Sequence, residues 1–534
     1  MRSGGIGFHH PVAFWSGCAL IVAGVLSHAP MFLMGRHTHW QMVGMPMTPG
    51  MWLGMAAIVA GLALAAFGVA PRVAQRRAAQ AGAAAVQFHV ADHVPLNRAH
   101  GILVGVLVVA LAVDVMKPAT LGFVLPGMSF EYGIDHAAAS WLALVALTGT
   151  TVGSVLWGRV ADLAGRRAAI LLGALMFIGT AICGAMPAFG WNLAMCFLMG
   201  LSAGGLLPIT FTLMAETVPA AHRGWLLVAL GGVGTSAGYL LAAGAAATLE
   251  PHFGWRALWL LGLPTGALIV LLYRFIPESP RFLSSMGLAS EAREVLRRFA
   301  GSKAAIEVDS PVHPGAPGID DVHPVTGMRQ LLRGRHAPIT WGLLTCGLAW
   351  GLVTFGVVLW LPVNLAGLGV DPRDASALLA RSAVYALPGI ALVVWLYHRW
   401  SSFRALVLFI ALTTVSLLAL AASGLQPSPA PSAIIAATVA LLVSSSGVIA
   451  MLIPYAAEIY PVHLRGTGAG LVAASSKFGG IIGAGLGVAG LFGQFAASTA
   501  LVALPMAVSG VLLLRNGVET RGRALEDIQR ALRP

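Results

Sequence analysis

Charged residues are scarce in this chain. Only 10% of its 534 residues are Asp, Glu, Lys or Arg, whereas a soluble domain carries roughly 25%. Hydrophobic residues make up 57% of the chain. Most of the chain therefore cannot face water, and a soluble fold is excluded.

Several other signals are absent. The four cysteines, Cys18, Cys183, Cys196 and Cys346, all lie in apolar segments, without the spacing of a disulfide framework or a metal finger. No phosphate-binding loop of the Gly-x-x-x-x-Gly-Lys-Ser/Thr type occurs, which argues against ATP as the driving force. The sequence also lacks a nucleophile elbow, a metalloprotease helix and a paired-carboxylate motif. It therefore predicts no enzymatic activity and no cofactor.

Long apolar segments account for most of the sequence. A helix needs about 20 apolar residues to cross a bilayer, and fourteen segments meet this length. The many glycines, 65 in total, suit close helix packing in lipid. We therefore predict an all-α integral membrane protein with spans near 12–34, 50–70, 99–126, 137–157, 167–187, 191–215, 224–246, 256–276, 339–363, 375–397, 403–423, 432–457, 467–489 and 492–514.

The basic excess is explained by membrane topology. The net charge is +12, which by itself is compatible with binding nucleic acid. If the N-terminus is placed inside, however, 26 of the 32 Lys and Arg residues fall on the inner side or at span ends facing it. This is the positive-inside asymmetry of membrane proteins. It predicts a multi-pass protein of a bacterial inner (plasma) membrane with both termini cytoplasmic, and no nucleic-acid partner.

Two short segments nearly repeat each other. Both fit Glu-x-x-Pro-x-x-x-Arg-Gly, the first over 216–224 and the second over 458–466, at a constant offset of 242 residues. A repeat of this length in so apolar a chain predicts a duplicated transmembrane unit, as in many secondary transporters.

The spans and the polar segments between them define the predicted organisation. The segment from Ala289 to Phe299 has the pattern of an amphipathic helix, and the Pro-rich segment from Asp309 to Val325 predicts a flexible loop. The apolar start of the chain resembles a signal peptide, but we interpret it as an uncleaved span. We predict a two-span Met/His-rich hairpin, a cytoplasmic linker, a six-helix bundle, a cytoplasmic interdomain loop, a second six-helix bundle and a cytoplasmic tail, over 1–70, 71–98, 99–276, 277–338, 339–514 and 515–534 respectively.

Several polar motifs occur in a fixed order along the predicted core. The segment 158–167, Gly-Arg-Val-Ala-Asp-Leu-Ala-Gly-Arg-Arg, joins its second and third spans and resembles the loop signature of the major facilitator superfamily. One Arg of the usual pattern is Leu163 here. Together with the two repeated boxes, further motifs at 254–256, 277–282 and 519–526 resemble the branch of sugar porters and aromatic-acid or metabolite:proton symporters. The resemblance covers about residues 99–530.

This resemblance implies a 12-helix core of two six-helix bundles that works by alternating access. In this family the motifs at the inner face form charge networks that hold the two bundles together in the outward-facing state. The alternative is that the same residues only anchor and orient the loops. The residues that the resemblance marks for gating are Gly158, Asp162, Gly165, Arg166, Arg167, Glu216, Arg223, Glu458 and Arg465.

Ionisable residues inside spans are the candidates for a substrate or proton pathway. Asp114 and Lys117 lie three residues apart in the first core span, hence on one helix face. The resembling aromatic-acid symporters typically carry two Asp at this spacing, so Lys117 is a departure that offers a positive group to an anion. The alternative is an Asp–Lys pair that neutralises itself and only positions the helix.

Two further basic residues are candidates for the same pathway. Lys477 lies twelve residues after Arg465, near the predicted bilayer midplane. Arg381 lies in the outer part of its predicted span. The alternatives are a snorkelling Lys477 and an Arg381 that pairs with Asp374 or with a carbonyl group. A glutamine-rich set like that of the sugar porters is not apparent in 341–361, so a sugar is a poor candidate substrate.

The predicted hairpin is unusually rich in Met and His. Seven of the 19 Met fall between residues 31 and 55, in a loop that the predicted topology places outside. Thioethers suit Cu(I), and imidazole suits several transition metals. The alternative is that the Met side chains fill irregular packing space. The candidate metal ligands are His28, Met31, Met34, His37, His39, Met42 and Met45.

The leading interpretation is a secondary transporter of a small anionic metabolite, with proton coupling left open. It predicts a monomer whose partners are the small-molecule substrate and the lipid bilayer. Two alternatives stay open: transport of copper or a metal complex through the hairpin, and a non-transporting membrane sensor on the same scaffold.

Overall fold

The chain divides into two compact helical units. The computed structural model describes residues 9–69, 92–134, 136–308, 328–333, 336–358, 391–425, 431–488 and 495–531, and no strand occurs among them. Unit 1 comprises Met1–Pro219 and Val233–Val325, and unit 2 comprises Ala220–Gly232 and Thr326–Pro534. Unit 2 therefore includes the start of a helix whose remainder belongs to unit 1.

The N-terminal hairpin begins unit 1. Its first predicted span, 12–34, is broken into two helices at residues 27 and 28. Pro30 lies at the start of the second helix, where its missing N–H has no carbonyl to bond, so a helix begins there readily. The hairpin consists of α1 (Pro11–Leu26), α2 (Ala29–Met34), a 3-10 turn (Gly35–Thr38) and α3 (Pro49–Val69).

Glycines allow α1 and α3 to approach closely. A Cβ added to Gly17 would lie 2.5 Å from the carbonyl oxygen of Gly61, and one added to Gly24 would lie 2.5 Å from that of Gly54. Small residues at such a contact allow two backbones to touch, which favours helix association in lipid. The glycines of the hairpin thus explain why its two long helices pair with each other.

The hairpin also packs on the rest of unit 1. A Cβ added to Gly179 would lie 2.8 Å from a methyl carbon of Ile58 on α3. The ring centroids of Trp15 and Tyr273 lie 5.5 Å apart. Contacts from both long helices of the hairpin therefore hold it against the unit.

The helices of the remainder of unit 1 follow the six predicted core spans. Several are longer than predicted, because Arg98–Tyr132 and Ala220–Phe253 continue beyond their apolar segments. The helices are α4 (Arg98–Tyr132), α5 (His136–Ala164), α6 (Arg166–Gly179), a 3-10 turn (Thr180–Ala185), α7 (Phe189–Thr217), α8 (Ala220–Phe253), α9 (Ala257–Leu260), α10 (Gly262–Leu271), a second 3-10 turn (Leu272–Phe275), α11 (Pro280–Ser285) and α12 (Ala289–Val308).

Unit 2 is built in the same way, from the start of α8 and the later helices. Its first long helix ends in a π-helical turn, Val353–Val358. The helices of unit 2 are α13 (Met328–Arg333), α14 (Ala337–Leu352), α15 (391–399), α16 (Ser402–Gly424), α17 (Pro431–Ile459), α18 (Val462–Val488), α19 (Phe495–Asn516) and α20 (Leu525–Ala531).

The predicted all-α membrane architecture is confirmed. Among the described residues, thirteen helices are long and apolar enough to cross a membrane. The remaining predicted span, 375–397, lies mostly outside the described residues, of which only 391 onwards are seen as α15. The predicted amphipathic segment forms the first half of α12, and the segment 309–325 lies outside the described residues.

Candidate functional site

Lys117 lies in the interior of unit 1. Its side chain is buried, and its Nζ donates hydrogen bonds to the carbonyl oxygen of Phe177, at 3.2 Å, and to Oγ1 of Thr180, at 2.7 Å. The ammonium also lies 4.5 Å from the ring centroid of Phe177 and 6.0 Å from that of Trp259. These contacts direct Lys117 from α4 towards the end of α6 and the start of the sixth core span.

Gly262 makes room for the ammonium. A Cβ added to this glycine would lie 2.5 Å from Nζ of Lys117. Within the described part of the chain, both hydrogen bonds of Lys117 go to Phe177 and Thr180, and neither goes to Asp114. The geometry supports a positioning role for Lys117 more strongly than a direct role in binding an anion.

We expect Lys117→Met to lower stability more than transport. The change removes both hydrogen bonds of Nζ. The carbonyl of Phe177 keeps the Thr180 hydroxyl as a donor, but buried Oγ1 of Thr180 loses the donor it accepted from, a loss of about 1–3 kcal/mol. The melting temperature of the purified protein should fall, while uptake per folded molecule should stay within about twofold of wild type. Thermal unfolding and abundance-normalised uptake measure the two effects. Lost uptake with an unchanged melting temperature would instead assign Lys117 to the substrate pathway.

Asp114 is buried on the same helix. Its side chain is 3% exposed, and it lies one helical turn before Lys117. The neighbouring residues Leu111 and Ala112 pack against α8, since Cβ atoms added to Gly234 and Gly238 would meet them. A buried carboxylate within an apolar span is costly, and by default it is a functional candidate.

The other two pathway candidates lie elsewhere in the chain. Lys477 is a half-buried residue of α18 in unit 2. Arg381 and its proposed partner Asp374 lie outside the described residues. The structure thus places Asp114 and Lys117 on one helix of unit 1 and describes Lys477 within unit 2.

Arg166 is the centre of a buried charge network in unit 1. Its guanidinium lies 3.0 Å from each carboxylate oxygen of Glu216, through Nε and Nη2. Nη2 also lies 3.4 Å from Oδ1 of Asp162, and Nη1 donates to the carbonyl oxygen of Ala161 at 3.1 Å. The side chains of Arg166, Asp162 and Glu216 are almost completely buried. The loop motif and the first repeated box are therefore joined by a buried ion pair, in which Nη2 donates a charge-assisted hydrogen bond to Oε1 and Nε lies close to Oε2.

Glu278 completes this network from the segment that follows the sixth core span. Its Oε1 accepts backbone N–H groups of Arg166 at 2.8 Å and of Ser279 at 2.9 Å, and a longer one, 3.4 Å, from Arg167. The carboxylate thus caps the start of α6, where the helix dipole favours negative charge. Burial raises the pKa of Glu278, against the opposing effects of these N–H groups and of Arg166. The sequence motif 277–282 contains Glu278, but its side chain was not singled out.

Gly165 is required by this arrangement. Its φ is +105°, and an added Cβ would lie 2.3 Å from Oε2 of Glu278. Glycine alone tolerates both the backbone conformation and the close carboxylate. The requirement explains why glycine immediately precedes Arg166 in the motif.

We expect Gly165→Ala to destabilise unit 1 and to reduce transport strongly. The backbone strain alone costs about 1–3 kcal/mol, and the displaced Glu278 loses its contacts with α6. Gly133→Ala is the matched control, because Gly133 also has a positive φ, +61°, but has nothing within 4 Å of an added Cβ. The melting temperatures of the two variants should therefore differ clearly. Equal melting temperatures would show that Glu278 adapts without cost.

The second repeated box has different partners in unit 2. Oε2 of Glu458 accepts hydrogen bonds from the hydroxyls of Tyr397, at 3.1 Å, and of Thr520, at 2.6 Å. Arg223 is also buried in this unit, where its charge acts on Glu458 and its Nη1 donates to the carbonyl oxygen of Arg523 at 3.2 Å. The two boxes therefore share a sequence pattern but differ in their hydrogen-bond partners.

Arg465 forms a hydrogen bond within the second repeated box. Its side chain is fully buried, and its Nε donates to the carbonyl oxygen of Tyr460 at 3.0 Å. The bond satisfies a carbonyl at the end of α17, where helix C-termini favour positive charge. Arg465 thus stabilises the turn between α17 and α18.

Glu519 caps the start of α16. Its carboxylate accepts the backbone N–H of Ser402 at 3.0 Å and the Ser402 hydroxyl at 2.6 Å, as well as the Ser401 hydroxyl. Partial burial acts to raise the pKa of Glu519, but the hydrogen bonds from the two serines outweigh it, and the pKa is lowered.

We expect Glu519→Gln to weaken unit 2 by about 1 kcal/mol, the usual value of a helix cap. Because the folded pKa is lowered, the charge of Glu519 stabilises the fold fully above the unfolded pKa of about 4.3. This contribution is lost as the pH falls through the lower folded pKa. The melting temperatures of wild type and variant should differ at pH 7 and converge as the pH falls below about 4. A difference that persists under acidic conditions would show that charge is not the cause.

Comparison of the sequence with models of protein families identifies the family of these motifs. The model of the Major Facilitator Superfamily matches residues 102–484 of this chain. The chain belongs to the Major Facilitator Superfamily. The match includes both repeated boxes and the Arg166 network, and it begins after the N-terminal hairpin.

Curated relatives of this major facilitator protein cover most of its length. The niacin transporter NiaP of Acinetobacter baylyi is 28% identical over 454 residues, which cover 82% of this chain and 98% of that protein. A gallate transporter of Pseudomonas putida is 27% identical over 76% of this chain and 89% of its own length. The 4-hydroxybenzoate transporter PcaK of Pseudomonas aeruginosa is 27% identical over 77% of this chain and 91% of its own length.

The fold of this major facilitator protein has solved counterparts. The proton:xylose symporter XylE, solved with bound 6-bromo-6-deoxy-D-glucose, matches with a TM-score of 0.67 and 16% identity. The match covers 81% of this chain and 99% of that one. At this identity the likeness concerns the fold alone.

An ion pair of unit 1 joins the major facilitator core to the hairpin. Nη2 of Arg256 lies 2.7 Å from Oε1 of Glu131, and Trp255 donates its indole N–H to Oε2 at 2.8 Å. The same carboxylate accepts the backbone N–H of Met42 at 2.7 Å. Sequence reasoning missed Glu131, although the neighbouring Trp255–Arg256 motif was noted. Its carboxylate is a polar link between the end of α4, the segment before α9 and the loop of the hairpin.

The predicted metal ligands of this hairpin fall into two groups. Met34, His37 and His39 are exposed, whereas His28, Met31 and Met42 are buried and Met45 is partly buried. Among the residues that the structure describes, no group of three or more His, Cys, Asp or Glu side chains is arranged to hold a metal ion. Any metal site of the hairpin would therefore depend on methionine.

Proposed function

We propose that this chain is a secondary transporter that moves a small aromatic carboxylate by alternating access. The observation that carries the proposal is the chemistry shared by the names of its relatives. Niacin, gallate and 4-hydroxybenzoate each consist of one six-membered aromatic ring bearing a carboxylate. Each of the three named transporters matches more than three quarters of this chain.

The buried charge networks support alternating access. Exposed ion pairs contribute little to stability, but Arg166 and Glu216 are buried and paired at two points. Alternating access is an equilibrium between two states, and a few kcal/mol is enough to shift it. A buried ion pair that forms in only one state can supply this free energy. We therefore assign Arg166, Glu216 and Glu278 to the gate of the first half, and Arg223, Glu458 and Arg465 to that of the second.

The pathway residues are divided by their surroundings. Asp114, a buried carboxylate in a core span, is our candidate for carrying a proton. Lys477 is half-buried, which suits a cation that meets a substrate carboxylate. Arg381 stays a candidate for the same role. The buried hydrogen bonds of Lys117 support a positioning role.

The arrangement of charge supports a defined orientation. We place both termini in the cytoplasm, because most Lys and Arg residues then lie at the inner side. The chain would act as a monomer in a bacterial cytoplasmic membrane, since the two repeated halves already supply both sides of the transport cycle.

Uptake into proteoliposomes tests the proposal. Purified protein is reconstituted, and accumulation of labelled nicotinate is measured with and without a pH gradient that is alkaline inside. Benzoate and 4-hydroxybenzoate should compete, whereas nicotinamide, which has the same ring without a carboxylate, should not. Counterflow of nicotinate should persist without the gradient. Binding of aromatic carboxylates without accumulation or counterflow would instead favour the sensor alternative.

A further inference from the structure

The methionines of the hairpin form a buried cluster. Met31 in the first half of α2, Met42 in the loop and Met51 at the start of α3 are each at most 1% exposed and pack against one another. Met45 and Met47 pack on the cluster from outside. Thioether sulfurs from three separate segments are thus gathered at one end of the hairpin.

His28 contributes an imidazole with an open nitrogen. Its Nδ1 lies 2.9 Å from the carbonyl oxygen of Gly24 and 3.2 Å from Oγ of Ser27. The carbonyl can only accept, and the Ser27 hydroxyl donates to that same carbonyl, so we infer that Nδ1 carries the ring proton. The other nitrogen, Nε2, is buried and has no hydrogen-bond partner among the described residues. A histidine held through Nδ1–H by a carbonyl group has its Nε2 lone pair available, which is the usual arrangement of a metal-binding histidine.

The imidazole packs against α3, the helix that carries Met51. A Cβ added to Gly54 would lie 3.1 Å from Cε1 of His28, the ring carbon bonded to both nitrogens. Gly54 follows Met51 by three residues on α3. On the opposite segment of the hairpin, Met31 follows His28 by three residues. Residues three apart on a helix lie on one face. The ring therefore lies against the face of α3 that carries Met51 one turn earlier, and it immediately precedes the helix that contains Met31.

The available donors select the kind of metal ion. Thioethers are soft and neutral, and they suit Cu(I) rather than Ca²⁺, Mg²⁺ or Zn²⁺. A neutral, buried donor set also favours a single positive charge, because burial of an uncompensated divalent ion costs far more. The adjacent carboxylate, Glu131, is already engaged by the Met42 N–H and by Arg256.

We propose that the hairpin binds one Cu(I) or Ag(I) ion through the sulfurs of Met31, Met42 and Met51 and through Nε2 of His28. Packing alone explains buried methionines, since Met fills irregular space, but it does not explain a buried imidazole nitrogen without a partner. The bound ion is a resident ligand rather than the transported substrate, because the hairpin lies outside the residues matched to the superfamily. It would fix Met42, whose N–H bonds to Glu131 at the end of α4.

Metal binding by the full-length purified protein tests the site. Cu(I) is titrated anaerobically against a chromophoric Cu(I) chelator, and Ag(I) is followed by the shift in melting temperature. Wild type should bind one ion per chain. The combined Met31→Leu, Met42→Leu and Met51→Leu variant should lose at least about 100-fold in affinity, and His28→Gln about 10-fold.

Two methionine changes serve as matched controls. Met34→Leu alters an exposed residue of the same segment, and Met199→Leu alters a buried residue of α7. Both variants should keep the wild-type affinity. Leucine conserves the volume of methionine, and nicotinate uptake by each variant reports whether the core is folded, independently of the metal.

The proposal is overturned if wild type does not compete with the chelator, or if the triple variant binds as tightly as wild type. X-ray absorption of the Cu(I) complex gives a second test that needs no variant. A first shell of sulfur and imidazole nitrogen supports the site, and a shell of oxygen or of nitrogen alone contradicts it. If the Cu(I) tests fail, the proposed nicotinate transport still stands. If transport is lost while Cu(I) binding is intact, only the proposed function is contradicted.

Discussion

Arg166→Met is expected to abolish transport and to lower stability by more than either Lys117→Met or Gly165→Ala. The substitution keeps an apolar stem of similar length but leaves the carboxylates of Asp162 and Glu216 buried without their cation. Removal of one partner of a buried ion pair costs about 3–5 kcal/mol. The melting temperature and the initial rate of nicotinate uptake measure the effect.

Three further variants separate gating from anchoring. Arg298→Met removes an exposed arginine of α12 and should change neither quantity. The double variant Arg166→Met with Glu216→Gln should recover part of the stability, because one buried charge is then also removed. Arg166→Lys keeps the charge but loses the two-point contact. A stable but slow Arg166→Lys would support gating, and a normal rate with a lower melting temperature would support anchoring alone.

Asp114→Asn is expected to remove the effect of a pH gradient on uptake. Asparagine has nearly the same shape as aspartate but cannot bind and release a proton. For one proton per substrate, a gradient of one pH unit supports about a tenfold accumulation, because 1.36 kcal/mol corresponds to a factor of ten. Wild type should approach this value in proteoliposomes, and the variant should only equilibrate nicotinate across the membrane.

Counterflow provides the control for Asp114→Asn. Exchange of nicotinate on both sides requires the conformational change but no net proton movement, so the variant should retain it. Asp114→Glu keeps a titratable carboxylate and should keep part of the pH-driven accumulation. A normal pH profile in Asp114→Asn would remove Asp114 from proton coupling and turn attention to other carboxylates.

The charge network around Arg166 was predictable from the sequence because its partners are charged. Asp162, Arg166 and Glu216 belong to motifs in which charge is unusual so close to a span, and the structure joins them. The hydrogen-bond partners of Glu458 were not predictable, since neither belongs to a repeated box. They are the hydroxyls of Tyr397 and Thr520, and hydroxyl groups are too common in any sequence to give a signal.

The direction of a side chain within a span was the least predictable feature. Helix α4 is apolar on all sides, so no face of the sequence marks the interior, and the turn of Lys117 towards Phe177 depends on packing alone. Glu131 was missed because α4 continues to Tyr132, beyond the end of the predicted apolar segment. The buried methionines of the hairpin were not distinguishable from the exposed ones in the sequence, because they all lie in one short segment.

The packing of the hairpin on α6 has a consequence for the lipid around the core. Of the apolar stretch in Arg166–Ala185, 94% is buried inside the protein, and Ile58 of the hairpin covers Gly179 on this helix. A helix that contacts acyl chains adjusts its tilt to the thickness of the bilayer, but this one contacts protein almost everywhere. The hairpin therefore takes the place of lipid at the helix that begins with Arg166, and the charge network at the start of that helix is shielded from changes in membrane composition.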